Sequence, residues 1–208
     1  MVCPLCKNIN PKRQQFLADV LFLTCSQCGS LFKHSTHWPT LEAEKARYET
    51  HNNDVTDQGY QNFVMPIVKA VKKDFKTTAN GLDFGAGTGP VITKLLANDG
   101  YQLKLYDPFF YPETAVLNKT YDFIICCEVI EHFHHPSLEF QRLYDLLNED
   151  GKLYCMTELV PETPLKNWHY QRDLTHVIFY SEENLIWIQQ HFGFKKLTID
   201  GRLIIFEK

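Results

Sequence analysis

The segment Asp83-Phe84-Gly85-Ala86-Gly87-Thr88-Gly89-Pro90 constrains the fold most, because it joins a strand-like run, Gly81 to Phe84, to a helix-like run, Val91 to Ala97. Three glycines in five residues let the backbone turn sharply and approach a ligand with no Cβ in the way. Pro90 suits the first turn of the helix that follows. The loop is not the dinucleotide fingerprint, since the third glycine of G-x-G-x-x-G would fall on Pro90. Taken alone, it also fits a generic phosphate-binding or tight-turn loop.

Around this loop the chain alternates between strands and helices, which predicts a parallel sheet covered on both faces. Strands are expected at Tyr101 to Tyr106, Phe123 to Cys127, Gly151 to Thr157, Phe194 to Ile199 and Leu203 to Phe206. Helices are expected at Pro136 to Leu147 and Glu182 to His191. Before them, Phe63, Ile67, Val71 and Phe75 recur every four residues and mark a helix from about Gln58 to Phe75, which Pro66 kinks or shortens. Leu41 to Tyr48 is rich in helix formers, and His51-Asn52-Asn53-Asp54 should break it.

The N-terminal region carries a different signal. Four of the seven cysteines form two Cys-x-x-Cys pairs, Cys3/Cys6 and Cys25/Cys28, with 18 residues between them. Two such turns brought together make a tetrahedral thiolate cage suited to a structural Zn²⁺ with no open position. A redox Cys-x-x-Cys or two unrelated thiol pairs are the alternatives. Cys126, Cys127 and Cys155 lie in apolar runs and read as small core residues. An odd cysteine total in this arrangement does not fit a secreted disulfide scaffold. With no apolar run of membrane-spanning length and Lys7, Lys12 and Arg13 near the start, a cytoplasmic protein is expected. The 21 basic and 25 acidic side chains leave a net charge of −4, so overall charge does not indicate nucleic-acid binding, and a local basic patch stays open.

From about residue 60 to 208, the order of motifs resembles class I S-adenosylmethionine-dependent methyltransferases, whose first motif is an acidic residue followed by G-x-G-x-G. The resemblance implies a Rossmann-like α/β methyltransferase sheet, with a zinc ribbon over 1–34, a helical connector over 35–75 and the catalytic domain over 76–208. It implies that Asp83, Gly85, Ala86, Gly87 and Gly89 form the cofactor loop. Asp107, followed by Pro108, stands 18 residues after Gly89, where a carboxylate can accept from both ribose hydroxyls. Cys127, Glu128 and Val129 would line the methionine end of the cofactor. Only 14 residues separate Asp107 from Asp122, so the family's third strand should be short or absent. Phe109, Phe110 and Tyr111 then either wall the adenine or simply join the core.

Five of the nine histidines fall between His132 and His176, around the expected acceptor site. His132, His169 and His176 are the candidate general bases for methyl transfer to oxygen, nitrogen or carbon. Trp168 to Ser181 mixes aromatic and ionisable residues without strand or helix period, as a functional loop would, with Arg172, Asp173 and His176 its best set. Glu128, Glu131, His132 and His176 further resemble the metal site of small-RNA 2′-O-methyltransferases, which implies a second divalent cation. The bland alternative makes them pocket residues without metal. Two other functions share this plan: an inactive cofactor-binding module with a zinc ribbon for partner contact, and a nicotinamide-dependent oxidoreductase. The methyl acceptor is not legible.

Overall fold

The computed structural model describes residues 2–9, 11–50 and 54–208. Two sheets organise them. The larger has six strands: β4 (Asn80–Phe84), β5 (Gln102–Tyr106), β6 (Tyr121–Cys127), β7 (Leu147–Met156), β9 (Lys196–Asp200) and β10 (Leu203–Glu207). Their order is β5-β4-β6-β7-β10-β9, parallel from β5 to β7 and antiparallel from β7 to β9. β5 is an edge. The short link to β6 holds a 3₁₀ turn, Thr114–Asn118, where the third strand of the expected plan would lie.

Alternation along β6 builds two cores at once. Phe123 and Ile125 face α2 (Gln58–Asp74) and α3 (Val91–Asn98), while Ile124 and Cys126 face α4 (Pro136–Asp145) and α5 (Glu182–Phe192). α2 buries Val64, Ile67, Val68 and Val71 and runs through Pro66 unbroken, forgoing one backbone hydrogen bond. Ser181 and Asn184 cap α5 reciprocally, and Gly193 ends it at φ 85°. Cys126 and Cys155 are fully buried, as small core residues should be.

The smaller sheet begins as a hairpin of β1 (Pro11–Leu17) and β2 (Val20–Cys25). Ala18 and Asp19 turn it with φ of 45° and 66°, the twist that suits a two-residue hairpin. β3 (Leu31–Lys33) pairs with β2, and β8 (Ile178–Phe179) completes the sheet on β3. β8 was not expected: it lies within the segment read as a loop, and its partner is about 145 residues away in sequence. The N-terminal unit is thus stitched into the larger domain. α1 (Leu41–Glu49), capped by Thr40, follows the small sheet, and the expected break at His51–Asn53 lies outside the described residues. No helix among the described residues is long and apolar enough to cross a membrane.

Candidate active site and cysteine cluster

A cavity of about 1060 Å³ opens at the carboxyl ends of β4, β5 and β6, roofed by α1. That is just above the ~300–1,000 Å³ usual for ligand pockets. Gly85, Ala86, Gly87 and Thr88 form one wall, with Gly85 at φ 83° and Gly87 at φ 61°. A Cβ on Gly85 would come within 2.4 Å of Val129, so the turn and its packing both need glycine. Gly89 is not in the lining.

Asp83 is buried beneath the loop and does not face the cavity. Its carboxylate accepts from Thr93 Oγ1 at 2.7 Å, and burial pushes its pKa up to about 6. Asp107 lines the cavity and organises its backbone. Oδ2 accepts from Gly87 N at 2.9 Å, and Oδ1 from Phe109 N at 2.8 Å and Phe110 N at 3.1 Å. Those three donors occupy three of the carboxylate's roughly four acceptor directions and leave one, on Oδ2. Pro108, Phe109 and Phe110 line the cavity beside it, and Cys127, Glu128 and Val129 line it from the end of β6.

Glu128 stands at φ 52°, a left-handed conformation uncommon for a side chain of this kind. Its Oε2 accepts from the Tyr170 hydroxyl at 3.1 Å, and Arg202 Nη1 lies 3.9 Å from Oε1. Glu131 is fully buried. One oxygen accepts from the Tyr170 hydroxyl, Oε2 has no hydrogen-bond partner among the described residues, and burial, with Glu128 next, pushes the pKa up to about 8. His132 Nδ1 meets the Thr175 carbonyl at 3.0 Å, and His176 Nδ1 meets the Tyr170 carbonyl at 2.8 Å. A carbonyl only accepts, so each imidazole carries a proton on Nδ1. Their rings are 4.8 Å apart, and burial pushes His176 down to about 4.

Glu131, His132 and His176 offer ligand atoms all within 4.8 Å of one another. Glu128, expected as a fourth ligand, is outside this group; its Oε2 accepts from Tyr170, and its Oε1 lies 3.9 Å from Arg202. His169 does not join either: its side chain is 76% exposed beside Glu158, away from the cavity. Arg172 is exposed, whereas Asp173 lines the cavity and pairs with Arg47 of α1 at 2.7 Å. The sequence reading missed Tyr170, whose hydroxyl joins Glu128, Glu131 and Thr157, and Glu44, which looked like an ordinary helix former.

The four N-terminal cysteines also converge. Cys3 and Cys28 Sγ are 3.7 Å apart, Cys6 and Cys25 Sγ 3.4 Å, and all four lie within 4.8 Å of one another. A tetrahedron with Zn–S bonds of about 2.3 Å has edges near ~3.8 Å, so the donor set fits zinc. Lys7 (φ 62°) and Gly29 (φ 71°), each just after the second cysteine of its pair, turn both loops alike. The Gln27 amide donates to Cys25 Sγ at 3.4 Å.

A sheet with parallel central strands, carrying a glycine loop and an acidic residue at the ends of adjacent strands, defines a Rossmann-like architecture. Within it, residues 57–199, more than half of the sequence, match the methyltransferase domain, and the chain belongs to that family. No curated protein matches the chain. Among solved structures, an O-methyltransferase family protein from Burkholderia thailandensis is similar, with TM-score 0.56 and 13% identity over 79% of this chain and 61% of that one. Magnesium protoporphyrin IX methyltransferase (ChlM) from Synechocystis PCC 6803, with bound SAH, has TM-score 0.53 and 17% identity over 82% of this chain and 88% of that one. At these identities the likeness is one of fold. The chain spans less than two-thirds of the Burkholderia protein.

Proposed function

We propose that this protein is an S-adenosylmethionine-dependent methyltransferase with a structural zinc on Cys3, Cys6, Cys25 and Cys28. The observation that carries the reading is a single cavity lined by the glycine loop, Asp107, His132 and His176. Family membership supports it. When bound, S-adenosylmethionine supplies an electrophilic methyl group, whose bond to sulfur breaks as the bond to the acceptor forms. The chain's own residues do the rest. Asp107 fixes the Gly87, Phe109 and Phe110 amides and keeps one acceptor site for a ribose hydroxyl. The loop and the aromatic wall hold the two reactants in line, which is where most acceleration arises in a transfer of this type. An imidazole lone pair on His132 or His176 takes the proton of an acceptor hydroxyl.

Glu131, His132 and His176 also suit a divalent ion such as Mg²⁺, Mn²⁺ or Zn²⁺. The orphaned Glu131 Oε2 and the two oriented imidazoles support that reading. An ion there would lower the pKa of the acceptor hydroxyl.

Calorimetry should find S-adenosylmethionine and S-adenosylhomocysteine binding one per chain and NAD not binding. NAD binding alone would favour the oxidoreductase. Metal analysis of protein purified without chelator should find one zinc per chain on the cysteines, and a folded, metal-free N-terminal sheet would sink that part. Mn²⁺ soaked into crystals should give anomalous density at Glu131, His132 and His176, whereas its absence would leave them as pocket residues with a base among them.

A further inference from the structure

Carbonyls of one segment orient both imidazoles of the site, Thr175 for His132 at 3.0 Å and Tyr170 for His176 at 2.8 Å. The two carbonyls are anchored differently. Thr175 sits in the turn Asp173–His176, closed by the His176 amide on the Asp173 carbonyl at 3.3 Å. Asp173 Oδ1 accepts from the Thr175 amide at 3.0 Å and from the Thr175 hydroxyl at 2.7 Å, the turn an aspartate makes with the residue two places on. Thr175 is buried, which strengthens both bonds against competition from water. Tyr170 lies before this turn, in the 3₁₀ turn His169–Arg172, and its own hydroxyl anchors it on Glu131 and Thr157.

The other carboxylate oxygen of Asp173 faces the roof of the cavity. Oδ2 accepts from Arg47 Nη2 of α1 at 2.7 Å. Tyr48, the next residue of α1, sets its ring edge-on to His132 at 5.2 Å. The Asp173 carbonyl also accepts from Lys33 Nζ of β3. Asp173 thus joins the turn that orients His132, the roof helix and the N-terminal sheet. The bond a ring nitrogen makes decides where an imidazole keeps its proton. A neutral imidazole that donates from Nδ1 takes a further proton only at Nε2, so the Thr175 carbonyl selects the nitrogen of His132 that can act as a base.

We propose that Asp173 is a positioning residue for His132: its Oδ1 holds the Thr175 carbonyl that fixes the imidazole, and its Oδ2 ties that arrangement to α1. This rests on the methyltransferase reading, in which His132 is one of two imidazoles that can take the acceptor proton, and adds the group that aligns it.

Long-range ¹H–¹⁵N correlation on the full chain, uniformly ¹⁵N-labelled and at one zinc per chain, reads the tautomer of each imidazole. At about pH 8, above the ordinary imidazole value of about 6.5, the parent should show the Nδ1–H form at His132 and His176. Asp173→Ala should lose that form at His132 and keep it at His176, whose carbonyl partner lies outside the turn. Asp173→Asn keeps an oxygen for the Thr175 donors and turns an amide toward Arg47. It should restore the Nδ1–H form at His132 while hydrogen exchange in Leu41–Glu49 speeds up. A general loosening would release both rings together, and the asparagine would restore neither. Thr175→Val matches threonine in shape and removes one of the two bonds. It should shift His132 part of the way, and serves if Asp173→Ala fails to fold. An unchanged His132 in the variants that fold, or an equal loss at His176, overturns the proposal. S-adenosylhomocysteine titrated into the parent reads the cofactor loop through the Gly85 and Gly87 amides. If those stay still while the tautomers respond as stated, the methyltransferase reading fails and the positioning of His132 by Asp173 stands.

Discussion

Two aspartates at the ends of adjacent strands look alike in sequence and act differently. Asp107 is an acceptor for three backbone amides, so Asp107→Ala both removes the proposed ribose contact and frees the loop that shapes it. S-adenosylhomocysteine affinity should fall by at least ~1.5–3 kcal/mol, the range for hydrogen bonds involving charge, as read by calorimetry. Asp83 acts on stability instead. Its pKa rises from 3.8 in the open chain to about 6 when folded, because burial disfavours its charge. The folded state then holds the proton more tightly, so this group costs nothing below pH 3.8 and destabilises increasingly as pH rises to about 6. The full cost above that window is about 3 kcal/mol by the usual conversion. Asp83→Asn keeps an acceptor for Thr93 and removes the titration. Chemical denaturation of the cofactor-free protein should show the variant gaining on the parent between pH 4 and pH 7, and parallel profiles would refute the assignment.

At the scale of elements, the helices and strands of the larger sheet were legible because their apolar periods are local: α2 shows its stripe every four residues, and β6 is an unbroken apolar run. The glycine loop and both cysteine pairs were legible for the same reason. What could not be read depends on pairing across the chain. β8 is two residues long and exists only because β3 offers an edge. Tyr170 gains its role from Glu128, Glu131 and Thr157, whose positions in space the sequence does not state. α1 belongs to this class too. Apart from Glu44 it buries little, yet it roofs the cavity, held by Arg47 on Asp173. Arg47 is 46% exposed, so the pair should add less than ~1 kcal/mol to global stability. Arg47→Ala should therefore leave the melting temperature nearly unchanged while speeding hydrogen exchange in Leu41–Glu49. Unchanged exchange there would mean that Glu44 and Tyr48 suffice to hold the roof.

For the whole molecule, the question is whether the cysteine-bearing unit is an appendage or a structural part of the active site. Backbone bonds run from one to the other: Lys33 N donates to the Val177 carbonyl at 2.9 Å, and Val177 N donates to the Glu131 carbonyl at 2.9 Å. His176 is thus held next to Glu131 by a ladder whose far rail is β3. The side chains agree. Phe22 and Leu31 from the N-terminal sheet pack with Trp168, Tyr170 and Phe179 from the segment after β7 in one buried cluster. Lys33, 2% exposed, reaches the Asp173 carbonyl at 2.5 Å between the Phe22 and Phe179 rings. Burying a large apolar side chain contributes roughly 1.5–3 kcal/mol, so losing Phe22 and Leu31 strips several kcal/mol from a domain whose net stability is of order 5–15. A fragment of residues 35–208 would also leave β8 unpaired beside newly exposed Trp168 and Phe179, an edge prone to association. That fragment should aggregate or bind 1-anilinonaphthalene-8-sulfonate, and lose the His132–His176 pairing, even though it retains all of the methyltransferase match at 57–199. Size-exclusion chromatography with dye binding decides the matter. A monomeric fragment with native-like spectra and unchanged cofactor affinity would make the N-terminal sheet a separable appendage.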